Sequence, residues 1–281
     1  MRRIDTALVS EKVCELFKSA NYELPKSVEA AICRYGNAEK DERAKSILEK
    51  LTDNLSAARE INVPVCQDTG MAVVFIEIGQ EVQLCGELLE VAINNGVKKA
   101  YDEGYLRKSI VNDPLFERTN TQDNIPAVIH TSIMAGDKIK IIAAPKGFGS
   151  ENKSAIKMLN PSDGEKGVID FVVETVEKAG ANPCLPMVVG VGIGGTFEKA
   201  AQLSKFALTR DINKRNPCEY YKNLEGTILE KINRLGIGPQ GLGGTTTALA
   251  VNIEQFPTHI AGLPVAVNIS CHATRHEEVT I

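Results

Sequence analysis

A thiol, an amide and a carboxylate stand side by side in residues 64–70, Pro-Val-Cys-Gln-Asp-Thr-Gly. Asp and Gly are common in turns, and a cysteine beside them can serve as a small buried hydrophobe. The alternative is that Cys66 is a thiolate ligand, with Gln67 and Asp68 directed at a substrate. A turn that leads directly into a strand could hold all three side chains rigidly. The composition of the segment leaves both interpretations open.

Two further cysteines lie in distinctive local sequences. Cys184 stands between two prolines in residues 182–186, where a core cysteine at the end of a loop is the simpler interpretation. Cys271 begins a Cys-His pair in residues 270–276, Ser-Cys-His-Ala-Thr-Arg-His, which resembles half of a zinc site. The chain contains no Cys-x-x-Cys pair, and this argues against a structural zinc site and against covalently attached haem.

Two glycine-rich runs fit the Gly-x-Gly-x-x-Gly spacing, at residues 190–195 and 236–241. The first follows a predicted strand and precedes a predicted helix, as a dinucleotide-binding fingerprint requires. The second contains Pro239 and lacks a convincing strand before it. Glycine is abundant, with 23 residues, so the spacing alone carries little information. The runs could instead bring backbone amides close to an anion or a cluster sulfur.

The segment 145–154 could be a surface turn or a carboxylate-binding loop.

The composition is that of a globular protein. Of the 281 residues, 43% are hydrophobic, and 32 basic and 36 acidic residues give a net charge of −4, which indicates no nucleic-acid partner. No apolar run is long enough to span a bilayer, and charges interrupt the N-terminal segment where a signal peptide needs an apolar core. We therefore expect a cytoplasmic protein with no membrane partner. Seven cysteines, an odd number, argue against a disulfide framework.

Helical and strand-like patterns alternate along the chain. Residues 1–60 have apolar side chains at helical spacing and predict a helical N-terminal subregion. Further helices are expected at 86–104, 164–179, 197–208 and 219–235, and strands at 73–78, 125–134, 138–144 and 185–191. The stretch after Thr245 is ambiguous. No internal repeat or linker is visible, so we predict a mixed α/β fold (α+β layers) that forms one large domain over residues 1–281.

Five segments together resemble the class I, iron–sulfur fumarate hydratases and the related tartrate dehydratases. In chain order they are VCQDTG (65–70), KGFGSENKS (146–154), NPCLPMVVGVGIGGT (182–196), GIGPQGLGGTTTALAV (236–251) and HIAGLPVAVNISCHATRH (259–276). They occur in the order found in that family, and the resemblance covers most of the chain. Five long motifs in order are far more specific than a glycine spacing.

The resemblance implies a cofactor and its ligands. Members of the family bind a 4Fe-4S cluster through three cysteines, which match Cys66, Cys184 and Cys271. Widely spaced ligands suit such a cluster, because the fold rather than local spacing assembles them. One iron then lacks a protein ligand and can act as a Lewis acid on a substrate hydroxyl. The implied activity is that of a hydro-lyase alpha subunit that interconverts malate and fumarate. The remaining cysteines are then structural.

The resemblance also implies substrate contacts and a partner. The residues that match family contacts to a small dicarboxylate are Gln67, Asp68, Arg107, Gly147 and His259. Asp68 and His259 match the pair that handles the proton at the substrate hydroxyl. Single-chain members of the family continue into a second domain that carries the base and further cationic groups. We therefore expect a separate, smaller β subunit and an α2β2 assembly.

Three other functions are open from the sequence. An alpha subunit of a tartrate dehydratase, or of another 2-hydroxy dicarboxylate dehydratase, would share the cluster and the leaving-group chemistry. A nicotinamide-dependent oxidoreductase would use the glycine-rich runs and need no iron. A non-catalytic cluster-binding sensor would hold iron and turn over no substrate.

Overall fold

The computed structural model describes all residues, Met1–Ile281, and confirms the predicted mixed α/β fold. The eight helices are α1 (Thr6–Tyr22), α2 (Lys26–Ala38), α3 (Glu42–Ile61), α4 (Leu89–Glu103), α5 (Phe148–Glu151), α6 (Gly164–Ala179), α7 (Phe197–Ala207) and α8 (Glu219–Asn233). The ten strands are β1 (Arg2–Asp5), β2 (Met71–Gly79), β3 (Val82–Cys85), β4 (Val128–Met134), β5 (Ile139–Lys146), β6 (Ala155–Leu159), β7 (Met187–Gly194), β8 (Ala248–Phe256), β9 (Leu263–Ser270) and β10 (Glu277–Thr280). None of the helices combines the length and apolar character that a membrane span requires.

The chain forms two compact units, each assembled from separate stretches. Unit A contains residues 1–25, 57–148 and 275–281, and unit B contains residues 26–56 and 149–274. The helical prediction for residues 1–60 is confirmed by α1, α2 and α3, but these helices are shared between the two units. The prediction missed β1, a four-residue strand, because so short a segment shows no alternation.

Unit A is built around a four-stranded sheet in the order β10-β5-β2-β4. β2 is parallel to β4 and antiparallel to β5, and β10 is antiparallel to β5. The β-branched and aromatic run 73–76 in β2 favours an extended chain, and its residues are buried. α1 and α4 pack on this sheet through apolar side chains at helical spacing, and their shared core includes Phe17 and Tyr101. Tyr101 thereby lies inside unit A, beside the loop that enters β2.

Unit B is built around a second four-stranded sheet, in the order β6-β9-β7-β8. β7 is parallel to β8 and antiparallel to β9, and β6 is antiparallel to β9. Every residue of β7 is buried, as expected for a strand covered on both faces. α6 and α8 contribute to the apolar core on one face, with Val172 and Ile228 fully buried. α7 packs on the other face.

The two sheets share one topology, although no repeat is visible in the sequence. In each, a strand is followed by helix and then by a parallel neighbour (β2, α4, β4 in unit A; β7, α7, α8, β8 in unit B). The strand after that pairs antiparallel with the other edge of the first strand. It is β5 beside β2 in unit A and β9 beside β7 in unit B. The loop before the first strand contains Cys66 in unit A and Cys184 in unit B. Both candidate cysteines therefore stand at equivalent places in the two sheets.

Candidate active site

The loop of residues 66–70, here called the cysteine loop, leads into β2 and presents its first side chains to the surface. Gln67 is exposed, and Cys66 and Asp68 are partly exposed, whereas Thr69 and Gly70 are buried. Two backbone amides fix the Asp68 carboxylate. Its Oδ1 accepts from the N–H of Gly70 at 3.1 Å, and its Oδ2 accepts from the N–H of Phe148 at 3.0 Å. A carboxylate held through both oxygens has a defined orientation.

Gly147 lies against the same carboxylate. A Cβ atom at this position would be 3.1 Å from Asp68 Oδ2, closer than most such contacts, so a larger residue would crowd the carboxylate. Phe148, the next residue, donates its backbone N–H to Asp68, and its side chain is about half exposed. The structure therefore brings Gly147 and Asp68 together, as the resemblance implies.

Buried side chains hold the carbonyl groups of the cysteine loop from the interior. Arg275 donates through Nη2 to the carbonyl oxygen of Asp68. The hydroxyl of Tyr101 lies 2.7 Å from the carbonyl oxygen of Thr69 and 2.8 Å from that of Gly70, and its one proton is shared between these two acceptors. Asn124 Nδ2 also donates to the Gly70 oxygen, at 3.2 Å. Three successive peptide groups are thus held from inside unit A.

Arg107 is attached to the same loop through its backbone. The hydroxyl of Thr69 donates to the Arg107 carbonyl oxygen at 2.9 Å, and the Arg107 side chain is exposed. Arg107 lies beyond α4, which ends at Glu103, so it is not part of the helix end. An exposed guanidinium on a segment bonded to the cysteine loop can pair with a substrate carboxylate.

The sheet of unit B brings Cys184 and Cys271 close together although they are far apart in sequence. Cys184 precedes β7 and Cys271 follows β9, and these strands are antiparallel, with Val188 opposite Ser270. His272 joins the two segments, because its backbone N–H donates to the Cys184 carbonyl oxygen at 3.2 Å and its Nδ1 lies 2.9 Å from the same oxygen. Two of the three candidate ligands therefore share one end of one sheet.

The second glycine-rich run supports the Cys184 segment. Gln240 donates to the Leu185 carbonyl oxygen through its backbone N–H at 3.2 Å and through Nε2 at 2.6 Å. A Cβ at Gly241 would be 2.2 Å from the Cβ of Ala181, so glycine permits the close approach of the two segments. The run is followed by β8 and not by a helix. It therefore lacks the strand-turn-helix arrangement of a dinucleotide site.

The buried carboxylate of Glu39, the residue directly after α2, anchors the residues that follow this run. Glu39 Oε2 accepts from the N–H and the hydroxyl of Thr245, both at 2.9 Å, and from the hydroxyl of Thr246 at 3.2 Å. Its Oε1 accepts from the N–H of Lys40 at 3.0 Å. Burial raises the pKa of Glu39, but these hydrogen bonds outweigh it and leave the pKa below the ordinary value of 4.5.

Glu39 should make unit B sensitive to acid. A carboxyl group whose pKa is lowered by folding stabilises the protein above its unfolded pKa, and this stability is lost as the pH falls through the folded pKa. We expect Glu39→Gln to be less stable than wild type at neutral pH, with a difference that shrinks below about pH 4.5. The measurement is the Tm of the cluster-free chain against pH. The exposed Glu42→Gln serves as control, and a pH dependence in Glu39→Gln equal to that of wild type would contradict the assignment.

The first glycine-rich run is a buried strand and not an anion-binding loop. Gly190 and Gly192 lie inside β7, where a Cβ would be 2.1 Å from the Ser204 and Ala200 carbonyl oxygens of α7 respectively. Glycine is required there so that α7 can pack against the sheet. Because α7 covers these glycines, the run offers no loop for a pyrophosphate. The interpretation that it approaches a ligand is wrong for Gly190 and Gly192.

His259 lies at the opposite end of the unit B sheet from Cys184 and Cys271. It is in the exposed loop between β8 and β9, and Thr258 in this loop donates to the Gly195 carbonyl oxygen just beyond the end of β7. The eight residues of β9 separate this loop from Cys271, a distance of roughly 25 Å at the usual rise per residue of a strand. The structure thus does not bring His259 to the cysteine end within unit B.

The thiol groups fit the chemistry of an iron–sulfur cluster. None of the seven cysteines forms a disulfide, and Cys66, Cys184 and Cys271 are all at least partly accessible. Thiolates are the ligands that such clusters require. Cys184 has a backbone φ of +56°, unusual for a residue with a side chain and typical of constrained functional sites. No group of three or more Cys, His, Asp or Glu side chains is arranged for a single metal ion. The ligands of a 4Fe-4S cluster would bind separate irons, so they would not need to meet at a single ion.

Several residues that support the site were not singled out in the sequence. Tyr101 and Asn124 act at a distance in the chain from the cysteine loop, and nothing in their local sequences marks them. Arg275 lies within the 270–276 motif, but its polar neighbours suggest no buried role. His130, in β4, is partly buried and stacks on Phe75 at 4.8 Å between ring centroids.

Comparison with known proteins shows the family to which the chain belongs. The family model for fumarate hydratase (Fumerase) matches residues 10–280. The putative L(+)-tartrate dehydratase subunit alpha of Methanocaldococcus jannaschii is 45% identical over 272 residues, covering 95% of both chains. The L(+)-tartrate dehydratase subunit alpha of Escherichia coli strain K12 is 34% identical over 271 residues, covering 95% of this chain and 88% of the relative. The chain belongs to the fumarate hydratase family, as the sequence motifs indicated.

Proposed function

We propose that the chain is the alpha subunit of an iron–sulfur hydro-lyase that reversibly hydrates fumarate to malate. The observation that carries the proposal is the cysteine loop, which presents a thiol, an amide and a carboxylate side by side on a backbone held from the interior. Such a loop can orient a substrate without rearranging. Membership in the fumarate hydratase family supports the reaction class.

L(+)-tartrate is the second candidate substrate. The relatives at 45% and 34% identity are both named as tartrate dehydratase alpha subunits, which favours this reaction for the chain. Tartrate and malate share a hydroxyl next to a carboxylate, so the same ligands and the same leaving-group chemistry serve both. The additional hydroxyl of tartrate is on the carbon that loses the proton, and selectivity then depends on the groups that surround that carbon.

Cys66, Cys184 and Cys271 are the proposed ligands of a 4Fe-4S cluster. When bound, the cluster supplies an iron without a protein ligand, which acts as a Lewis acid on the substrate hydroxyl. Every other role belongs to side chains of this chain. Loss of any one thiolate leaves an iron exposed to solvent and prone to dissociation, so all three are required.

Residues around the cysteine loop are proposed to bind and orient the substrate. The Gln67 amide can donate to a substrate carboxylate, and the Arg107 guanidinium can pair with a carboxylate through two parallel hydrogen bonds. In hydration, Asp68 can accept a proton from the attacking water, and in dehydration it can return that proton to the hydroxyl as it leaves as water, because its carboxylate is already fixed by the amides of Gly70 and Phe148. Gly147 leaves room for the substrate next to this carboxylate.

His259 is proposed to act on the site of a second copy of the chain. It lies about 25 Å along the sheet from Cys271, beyond the reach of a substrate bound near that cysteine. The N–H of Ala261 donates to His259 Nδ1 at 3.2 Å, so the neutral ring carries its proton on Nε2 and can donate from there. Phe197, Phe256 and Ile260 expose 58%, 50% and 92% of their surfaces at the same end, which suits contact with another copy.

The proposal includes a separate β subunit, an α2β2 assembly and a cytoplasmic location. The word alpha in the names of the relatives implies a second kind of subunit in those enzymes. The β subunit would supply the base for the carbon-bound proton and further cations for the substrate carboxylates. A reducing compartment would keep the three thiols available for iron.

Anaerobic assays with the β subunit test the function directly. The chain is loaded with iron and sulfide, and kcat/KM is measured for malate, fumarate and L(+)-tartrate. We expect turnover of malate and fumarate without any organic cofactor, and loss of activity in air. A preference for L(+)-tartrate would select the second candidate. Iron binding without turnover of any of the three would favour a sensor, and activity that requires a nicotinamide would overturn the proposal.

A further inference from the structure

The buried hydroxyl of Tyr101 contacts the backbone of the cysteine loop. Tyr101 is 1% exposed, and its single hydroxyl lies 2.7 Å from the carbonyl oxygen of Thr69 and 2.8 Å from that of Gly70. These acceptors belong to the two residues that directly follow Asp68. Burial raises the pKa of Tyr101, so the group remains a proton donor throughout the working pH range.

Asn124 completes the same contact from a different segment. Its side chain is fully buried and bridges two backbone groups, because Oδ1 accepts from the N–H of Ser109 at 2.7 Å while Nδ2 donates to the Gly70 oxygen at 3.2 Å. The side chain therefore connects the cysteine loop to the segment that follows Arg107. Tyr101 and Asn124 are therefore both far from the cysteine loop in the sequence but bonded to it in the fold.

We propose that Tyr101 and Asn124 are positioning residues, which fix the peptide groups of residues 69 and 70 and thereby set where Cys66 and Asp68 point. The inference rests on the proposed function and extends it to residues outside the family motifs. The hydroxyl acts through the backbone and does not touch substrate.

The physical reason is that a buried carbonyl needs a donor. Thr69 is 2% exposed, so water cannot readily replace the hydroxyl of Tyr101 if it is removed. The peptide group then rotates toward another donor, and this rotation moves Asp68, which precedes it. Small displacements of this kind have large consequences for metal retention and for turnover, because both depend on geometry at the scale of an ångström.

Tyr101→Phe, compared with Tyr22→Phe, tests the proposal. Tyr22 makes the same type of hydrogen bond in unit A, from its hydroxyl to the Gly104 carbonyl oxygen at 3.1 Å, but its acceptor is not in the cysteine loop. Both variants should have a lower Tm than wild type as cluster-free chains. After anaerobic loading with iron and sulfide, Tyr101→Phe should release iron in air about tenfold faster than Tyr22→Phe. With the β subunit, it should show a lower kcat with little change in KM.

The possible outcomes separate this inference from the proposed function. If wild type retains iron but the two tyrosine variants release it at the same rate and have equal kcat, the inference is wrong and the proposed function stands. If wild type retains no iron, the inference and the proposed function are both wrong. Should Tyr101→Phe fail to fold, Asn124→Asp keeps the acceptor for Ser109 and removes the donor to Gly70. Faster iron release in that variant than in wild type supports the inference, and an unchanged rate contradicts it.

Discussion

Replacing Asp68 with Asn should lower kcat by about a thousandfold, within the range of proton-transfer side chains, and change KM far less. The Asn side chain has nearly the same shape but only one oxygen, whereas both carboxylate oxygens of Asp68 accept backbone N–H groups, from Gly70 and Phe148. Its amide nitrogen would face one of these donors. The variant therefore loses both the proton acceptor and its fixed orientation. Steady-state kinetics with the β subunit provide the measurement.

Asp5→Asn is the matched control for this substitution. Asp5 Oδ1 accepts from the N–H of Ala7 at 2.9 Å, the same two-residue spacing as between Asp68 and Gly70, but at the start of α1. We expect the control to retain the kcat of wild type. A kcat for Asp68→Asn within a few-fold of wild type, with iron retained, would remove Asp68 from the mechanism. A raised KM at unchanged kcat would reduce its role to substrate binding.

The second large effect concerns His259, whose substitution by Asn should abolish turnover without loss of iron. If His259 serves the site of another copy, two inactive variants can complement each other. In a mixture of Asp68→Asn and His259→Asn subunits, each mixed pair has one site with an intact Asp68 and an intact His259. Random exchange should therefore restore roughly a quarter of wild-type activity, since half of the pairs are mixed and half of their sites are intact.

The control for complementation is each variant alone, taken through the same subunit exchange, and it should stay inactive. A second control adds His130→Asn to one of the two variants. This histidine stacks on Phe75 within the sheet, and its substitution should leave the restored activity unchanged. If the mixture of Asp68→Asn and His259→Asn remains inactive although the subunits exchange, His259 does not act between copies. Full activity of His259→Asn alone would remove it from the mechanism.

The candidate site residues could be selected from sequence because their motifs are long and ordered. Cys66, Gln67 and Asp68 are adjacent in the chain, so their common location needs no knowledge of the fold. The elements around them were also predictable where patterns are strong: the helix predicted at residues 164–179 is α6 with the same bounds. The approach of Cys184 and Cys271 required the antiparallel pairing of β7 and β9, which no local pattern encodes.

Other features depended on tertiary contacts that sequence patterns do not carry. Gly190 and Gly192 match a nucleotide-binding spacing, yet their role is to admit α7 against the sheet. The position of His259 follows from strand direction, and strand direction is a property of the whole sheet. Tyr101 has an ordinary place on the apolar face of α4, and only the fold reveals that its hydroxyl reaches the cysteine loop.

Iron and acid-labile sulfide per chain test the central claim most directly. Wild type, Cys66→Ser, Cys184→Ser and Cys271→Ser are loaded anaerobically, with Cys218→Ser, an exposed cysteine outside the motifs, as control. We predict about four irons and four sulfides in wild type and in the control, as a 4Fe-4S cluster requires. Each of the other three variants should lose most of this iron. Iron-free wild type, or full iron in the three variants, would contradict the assignment of this chain as the cluster-binding subunit of a hydro-lyase.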